Sequence, residues 1–258
     1  MTGCQMDDVI DGYEQSIDNE HIKSVSSYGQ IRQQYIYDNS GKIRETLGMV
    51  FYQKYSYDNN DRLIKIETSV DESIYSSSMQ QPPRTELMTS SNSTITWERS
   101  YKYDNQGRLS KIESYTKKDG GKFKLTSFQT FEYEGGNVRR ENLCDETGSI
   151  TQFYEYTYDQ KGNMTKERYN VCIIDGTPSN PKLYYERTYK YDDYKNPYQI
   201  LNIEGPSFYT SANNMIEMTT IWHTDDPRTE ISAQTFIYNN LGYPIKMIYE
   251  GGEEEYTY

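Results

Sequence analysis

The segment YKYDNQGRL at 101–109 recurs as YIYDNSGKI at 35–43, YSYDNNDRL at 55–63 and YTYDQKGNM at 156–164. A chain that repeats one short phrase is assembled from one repeated local unit, and the residues say which. Over 93–104, Ile95, Trp97, Arg99, Tyr101 and Tyr103 alternate with Thr94, Thr96, Glu98, Ser100 and Lys102. Period two means a strand with one aromatic and one polar face. Phe51/Tyr55/Tyr57, Tyr154/Tyr156/Tyr158, Tyr185/Tyr189/Tyr191 and Phe236/Tyr238 follow the same alternation, and the chain closes on Tyr256-Thr257-Tyr258. The turn comes next. Asp104 can bond a backbone N–H two residues on, and Gly107 can take φ > 0 and return the chain antiparallel. Asp38…Gly41, Asp159…Gly162 and Asn239…Gly242 fit this template, and Asp58…Asp61 puts a tolerated Asp at the left-handed position. Asp192…Lys195, followed by Asn196-Pro197, fits poorly; a different connection is expected there, with a short helix over 205–213.

Further hairpin marks at Gly120-Gly121, Gly135-Gly136, Asp145…Gly148 and Gly251-Gly252 fill the gaps, with longer loops at 71–91 and 174–182. The expectation is all-β: one strongly curled antiparallel meander sheet, a half-barrel or incomplete barrel, of roughly fifteen strands with few or no helices. Twist and bulges supply the curl. Only 34% of residues are hydrophobic, while 28 are tyrosine. Tyrosine must therefore do much of the burying. A two-sheet sandwich needs a richer aliphatic face, and a membrane barrel needs an outward aliphatic band that these Lys-, Glu-, Thr- and Ser-bearing faces lack. Residues 21–258 read as a single domain after a polar tether, 1–20.

A net charge of -12 and the lack of a Lys/Arg cluster beyond Lys117-Lys118 argue against nucleic acid as a partner. No apolar run approaches the length of a membrane-spanning helix. The two histidines, His21 and His223, lack companions at metal spacing, so no metal and no cofactor is expected. Neither a catalytic triad nor a phosphate-cradling loop can be picked out. The 39 Asp and Glu offer many carboxylates but select no glycosidase pair. The expectation is a protein that is not an enzyme.

Thr2-Gly3-Cys4 resembles the lipobox of bacterial lipoproteins, with Met1 where Leu is usual, and the acidic run after it resembles the surface-export signal of Bacteroidetes lipoproteins. A chance Thr-Gly-Cys is the plain alternative. Cys144 and Cys172 end two strands with a third between them. Such strands lie about 9–10 Å apart, too far for a disulfide, whose Cα atoms lie within about 7 Å. Two free thiols are expected.

The phrase Tyr101 to Leu109 is similar to the YD (Rhs-type) repeat, which builds β-shells in bacterial toxins. The chain also resembles a family of lipoproteins of unknown function from gut Bacteroidetes, described as having a porin-like open-barrel fold. The likeness lies in the YD hairpins, the segment from Tyr191 through Asn196-Pro197, the stretch Ser211 to Met215, and the ends Gly242-Tyr243-Pro244 and Tyr256-Thr257-Tyr258. It implies lipidation at Cys4 and residence at the outer membrane, surface-exposed or periplasm-facing, with the anchor as the only membrane contact. It implies no activity.

The functional expectation is a non-catalytic envelope protein that binds a glycan or peptide, or docks to a partner, through a concave face of Trp97, Tyr101, Tyr103, Tyr156, Tyr158, Tyr189 and Tyr191. Such rings are flat apolar platforms rimmed by hydroxyls. The competing account is a purely structural shell, in which these tyrosines only pack on one another across strands. An open cavity would favour a binder and a filled one a spacer. Two acids converging in the cavity would be needed for a glycoside-active enzyme.

Overall fold

The computed structural model describes residues 21–71, 86–117, 121–174, 177–201 and 205–258. Cys4 with the rest of the tether, most of the 71–91 loop, Lys118 and Gly120 fall outside them. The strands are β1 (Ser24–Ser27), β2 (Gln30–Tyr37), β3 (Ile43–Gly48), β4 (Phe51–Tyr57), β5 (Leu63–Val70), β6 (Trp97–Tyr103), β7 (Leu109–Thr116) and β8 (Lys124–Glu134). They continue as β9 (Asn137–Asp145), β10 (Ile150–Tyr158), β11 (Met164–Ile174), β12 (Thr177–Lys195), β13 (Asn213–Trp222), β14 (Thr229–Tyr238), β15 (Pro244–Tyr249) and β16 (Gly252–Thr257). Each pairs antiparallel with its chain neighbours. The segment 177–182, expected as loop, belongs to β12, where a register shift between Val171 and Ile173 accommodates its irregular pairing. In place of one helix over 205–213 there are two 3-10 turns, Pro197–Leu201 and Phe208–Thr210.

The sheet is not open. β1 pairs with β16 through Ser24↔Thr257, Val25↔Tyr256 and Ser26↔Glu255, closing a sixteen-strand barrel. This corrects the expectation of a half-barrel of roughly fifteen strands. Closure leaves no row of unpaired backbone groups at a sheet edge. The seam is reinforced: Lys23 N–H donates to the Thr257 carbonyl at 2.7 Å, the Ser24 and Thr257 hydroxyls lie 2.8 Å apart, and Ser27 Oγ donates to the Glu253 carbonyl at 2.9 Å. β10 lies between the strands that carry Cys144 and Cys172, and both thiols are free.

The repeated phrase is a self-linking module. Asp104 Oδ1 accepts from the backbone N–H of Gln106 at 2.8 Å and of Arg108 at 2.9 Å, and Asp38, Asp58 and Asp159 cap their turns the same way. Gly107 is left-handed at φ 77°, as is Asp61 at φ 64° in the turn that lacks glycine. Arg62 and Arg108 pair with their own turn aspartates at 2.7 and 2.8 Å. Each guanidinium also lies over the second tyrosine of the following hairpin, Tyr103 at 4.8 Å and Tyr133 at 4.5 Å. The carbonyl one residue further on then accepts that tyrosine's hydroxyl. Tyr57 donates to Ile43 at 2.9 Å, Tyr103 to Leu63 at 2.7 Å, Tyr133 to Leu109 at 2.7 Å, Tyr191 to Met164 at 2.6 Å and Tyr258 to Pro244 at 2.8 Å. Tyr37 closes the series by donating to Ile22 beside β1 at 2.8 Å. Six hairpins at one end of the barrel are thus latched to their neighbours, while Tyr238 donates instead to the Asp192 carboxylate.

The first tyrosine of each phrase points inward. Tyr35, Tyr55, Tyr101 and Tyr256 pack with Ile43, Leu63, Ile66 and Ile112, while Tyr156 and Tyr189 pack with Met164 and Met215. The connection between β12 and β13 folds into the lumen between these clusters: Tyr198 packs on the first and Phe208 on the second. Asn196 clasps this plug, its amide nitrogen within 3.1 Å of the Phe208, Tyr209 and Ser211 carbonyls. Asn163 fastens it to the wall by donating to Asn213 Oδ1 at 3.0 Å and accepting from Asn213 N–H at 2.9 Å. Outside, the wall carries ion pairs such as Lys65–Glu67, Lys102–Glu113, Arg168–Glu155, Lys190–Glu217 and Lys246–Glu253. These charges share the outer face with exposed isoleucines such as Ile231 and Ile237, so that face is mixed, whereas a lipid-facing barrel wall is an apolar band.

Candidate binding cavity in the barrel lumen

Inward positions on six strands of one side bring charge into the lumen. Arg99 on β6, Gln129 on β8, Glu141 on β9, Tyr156 on β10, Glu167 on β11 and Arg187 on β12 wall a cleft of about 270 Å³, with Pro206 and Ser207 of the plug on its other side. The pairings Phe131↔Glu141↔Tyr154 and Tyr156↔Glu167↔Arg187 place these side chains in the same phase as the tyrosines.

Both carboxylates are buried and engaged. Glu141 Oε1 accepts from Gln129 Nε2 at 2.9 Å, and its Oε2 accepts from Tyr156 Oη at 2.8 Å. Glu167 Oε1 accepts from Tyr185 Oη at 2.9 Å and from Arg187 Nη1 at 3.4 Å. Burial pushes the Glu167 carboxyl up even against these donors. Burial, then the neighbouring carboxylates, hold the phenols of Tyr156 and Tyr185 well above the ordinary tyrosine range. Burial also pushes Tyr154 up to about 12. The Arg187 guanidinium lies 4.4 Å from the centre of the Tyr185 ring, and its Nε–H is buried without a hydrogen-bond partner. A buried donor left unmade costs about 1–3 kcal/mol. Behind it, Tyr154 stacks on Tyr169 at 4.9 Å and lies parallel to Tyr156 at 6.1 Å. The cleft therefore offers guanidinium donors, carboxylate acceptors and aromatic faces.

The seven aromatic residues proposed from sequence do not form one face. Tyr156 lines this cleft. Tyr101, Tyr103 and Tyr158 line a separate opening of about 460 Å³ at the latched end, bordered by Arg108, Tyr133 and the plug. There the hydroxyls of Tyr103 and Tyr133 are already committed to strand carbonyls. Tyr189 packs on Phe208 at 6.4 Å while its side chain hydrogen-bonds Glu167 and Arg187 of the cleft, and Tyr191 Oη bonds Met164 and Ser211 to seat the plug. Trp97 stands half exposed at the opposite end of β6. Sequence reasoning missed Gln129, Glu141, Glu167 and Arg187. The signal for Arg187 was present: a charged residue in phase between Tyr185 and Tyr189, as Arg99 is between Trp97 and Tyr101.

No protein-family model and no curated protein sequence matches this chain. Among solved structures, a porin-like protein from Bacteroides vulgatus is similar, with a TM-score of 0.52 and 10% identity over 92% of this chain and 98% of that one. This likeness shows a shared fold. A porin-like protein from Bacteroides uniformis aligns over 92% of this chain and 97% of that one, at 13% identity and a TM-score of 0.39; no argument rests on it. The porin-like resemblance expected from sequence is met at the level of the barrel.

Proposed function

We propose that this chain is a non-catalytic, water-facing barrel of the bacterial cell envelope that binds the end of a glycan in its lumenal cleft. The carrying observation is the buried, unpartnered Nε–H of Arg187 beside the engaged carboxylates of Glu167 and Glu141. A sugar ring suits such a wall because each hydroxyl both donates and accepts, so it can answer a guanidinium and a carboxylate together. Its apolar face suits the tyrosine rings behind. Both acids line this one cleft. Their oxygens already accept from Tyr156, Gln129 and Tyr185, which favours holding a ligand over transferring protons. The lipobox-like Thr2-Gly3-Cys4 and the porin-like fold support placement as an outer-membrane lipoprotein built of YD-type hairpins.

A glycan array with the full chain, repeated with Arg187→Lys, tests this. Arg187→Lys keeps the charge beside Glu167 but removes the Nε–H. Binding of one sugar class that falls at least tenfold in the variant supports the reading. Shortening of the bound glycan on incubation would mean an enzyme. A silent array would favour the structural shell, a reading supported by the many tyrosines committed to latching hairpins.

A further inference from the structure

A second lumenal cavity, on the other side of the plug, has different chemistry. It holds about 150 Å³ between the plug and strands β13 to β16. Its walls include Tyr198, Phe208 and Tyr209 from the plug, Phe236 from β14 and Tyr256 from β16, with one carboxylate, Glu254. Glu254 points inward because it pairs across the sheet with Met247 and alternates with Tyr256. Tyr256 Oη donates to Glu254 Oε2 at a long 3.3 Å. Among the described residues no Lys, Arg or His lines this cavity.

We propose that this cavity is a binding site for an alkylammonium group, such as the end of a small amine or of a lysine-like side chain. Aromatic faces attract cations through the negative potential above the ring, most strongly where water is excluded. Here Tyr198 stands edge-on to both Tyr209, at 5.1 Å, and Tyr256, at 6.1 Å, and Phe208 lies 4.1 Å from Tyr209. A half-buried carboxylate among aromatics and without a counter-charge is less favourable ionised than one in water. Burial accordingly pushes the Glu254 carboxyl up. A bound ammonium would supply the missing partner. The volume, against about 270 Å³ for the first cleft, admits a short alkyl chain. The chain's net charge of -12 also draws cations toward it. The site rests on its own residues and does not depend on the glycan reading.

Calorimetric titration of the full chain at fixed ionic strength tests the proposal, with n-butylammonium, n-butanol and n-butyrate as probes. Saturable binding of n-butylammonium at least tenfold tighter than n-butanol, with n-butyrate silent, is expected. Glu254→Gln should weaken the ammonium at least tenfold. Phe236→Leu, which keeps the charge and thins the aromatic wall, should weaken it severalfold. The proposal is overturned if n-butanol binds as tightly, if nothing binds saturably, or if folded Glu254→Gln binds the ammonium unchanged. Should Glu254→Gln not fold, the ammonium-to-alcohol ratio on the native chain decides alone.

Discussion

The phenolic oxygen of Tyr103 lies 2.7 Å from the carbonyl oxygen of Leu63, forty positions earlier in the chain. That bond ties the end of β6 to the start of β5, and its counterparts tie hairpin to hairpin around the barrel. Tyr103→Phe removes the donor and leaves the part-buried carbonyl unanswered, so it should cost about 1–2 kcal/mol of stability in urea unfolding. Tyr28→Phe serves as the comparison. Its hydroxyl also meets a carbonyl, that of Gly251 at 2.9 Å, but the side chain is 69% exposed. It should change stability by no more than about 0.5 kcal/mol.

Two turns of the same design carry different residues at the left-handed position, Gly107 against Asp61. A Cβ at Gly107 would meet nothing within 4 Å, so Gly107→Ala isolates the backbone cost. It should destabilise by about 1–2 kcal/mol. Asp61→Gly relieves the same strain and gives up only a surface ion pair with Lys42, so it should stabilise by about 0.5 kcal/mol. Thermal melts of the two variants should move in opposite directions.

What could be read from sequence was the module, and what could not was its long-range consequence. The alternation around Tyr101, the Asp104 turn and the left-handed Asp61 are local, so residue chemistry fixes them. Closure is not local. β1 reads Ser-Val-Ser-Ser and carries no tyrosine phrase. Its pairing with β16 is set by hydrogen bonds across more than two hundred residues. The connection after Lys195 was legible as irregular, but its inward course was not: the bonds from Asn196 to the Phe208, Tyr209 and Ser211 carbonyls appear only in the fold. The alternation placed those tyrosines inside but could not say that they divide between two openings and the plug, because a tyrosine that packs and one that lines a cavity look alike in sequence. The cleft was underread because Glu141 and Glu167 were only two of many acids until strand pairing set them on one wall.

The seam can be tested by chemistry. Ser26 and Glu255 are direct partners, and antiparallel partners have Cα atoms about 4.5–5.5 Å apart, within disulfide reach. With Cys4, Cys144 and Cys172 changed to Ser, Ser26→Cys together with Glu255→Cys should oxidise to an intramolecular disulfide in the native protein. Mass spectrometry would detect it, and free thiols in a folded chain would mean an open seam.

Stability should fall at both extremes of pH. Burial pushes the phenols of Tyr57, Tyr154 and Tyr191 up to about 12. The unfolded chain ionises near about 10, so it releases protons first. The barrel should therefore be undiminished below pH 10 and lose stability between about 10 and 12. On the acid side, burial would raise the Glu113 carboxyl, but donors from Lys102, Lys111 and Tyr115 bring it down to about 2. Its contribution should be present above its ordinary range and vanish as pH falls toward 2. Denaturation midpoints across pH, with phenolate absorbance on the alkaline side, check both limbs.

The central claim is a division of labour, with latching tyrosines for shape and the Arg187–Glu167–Glu141 cleft for binding. Glycan affinity and unfolding free energy, measured side by side for the native chain, Tyr103→Phe and Arg187→Lys, test it most directly. The account predicts that Tyr103→Phe loses stability and keeps its glycan, while Arg187→Lys stays folded and loses affinity at least tenfold. Full affinity in Arg187→Lys, with binding lost in a folded Tyr103→Phe, would contradict it.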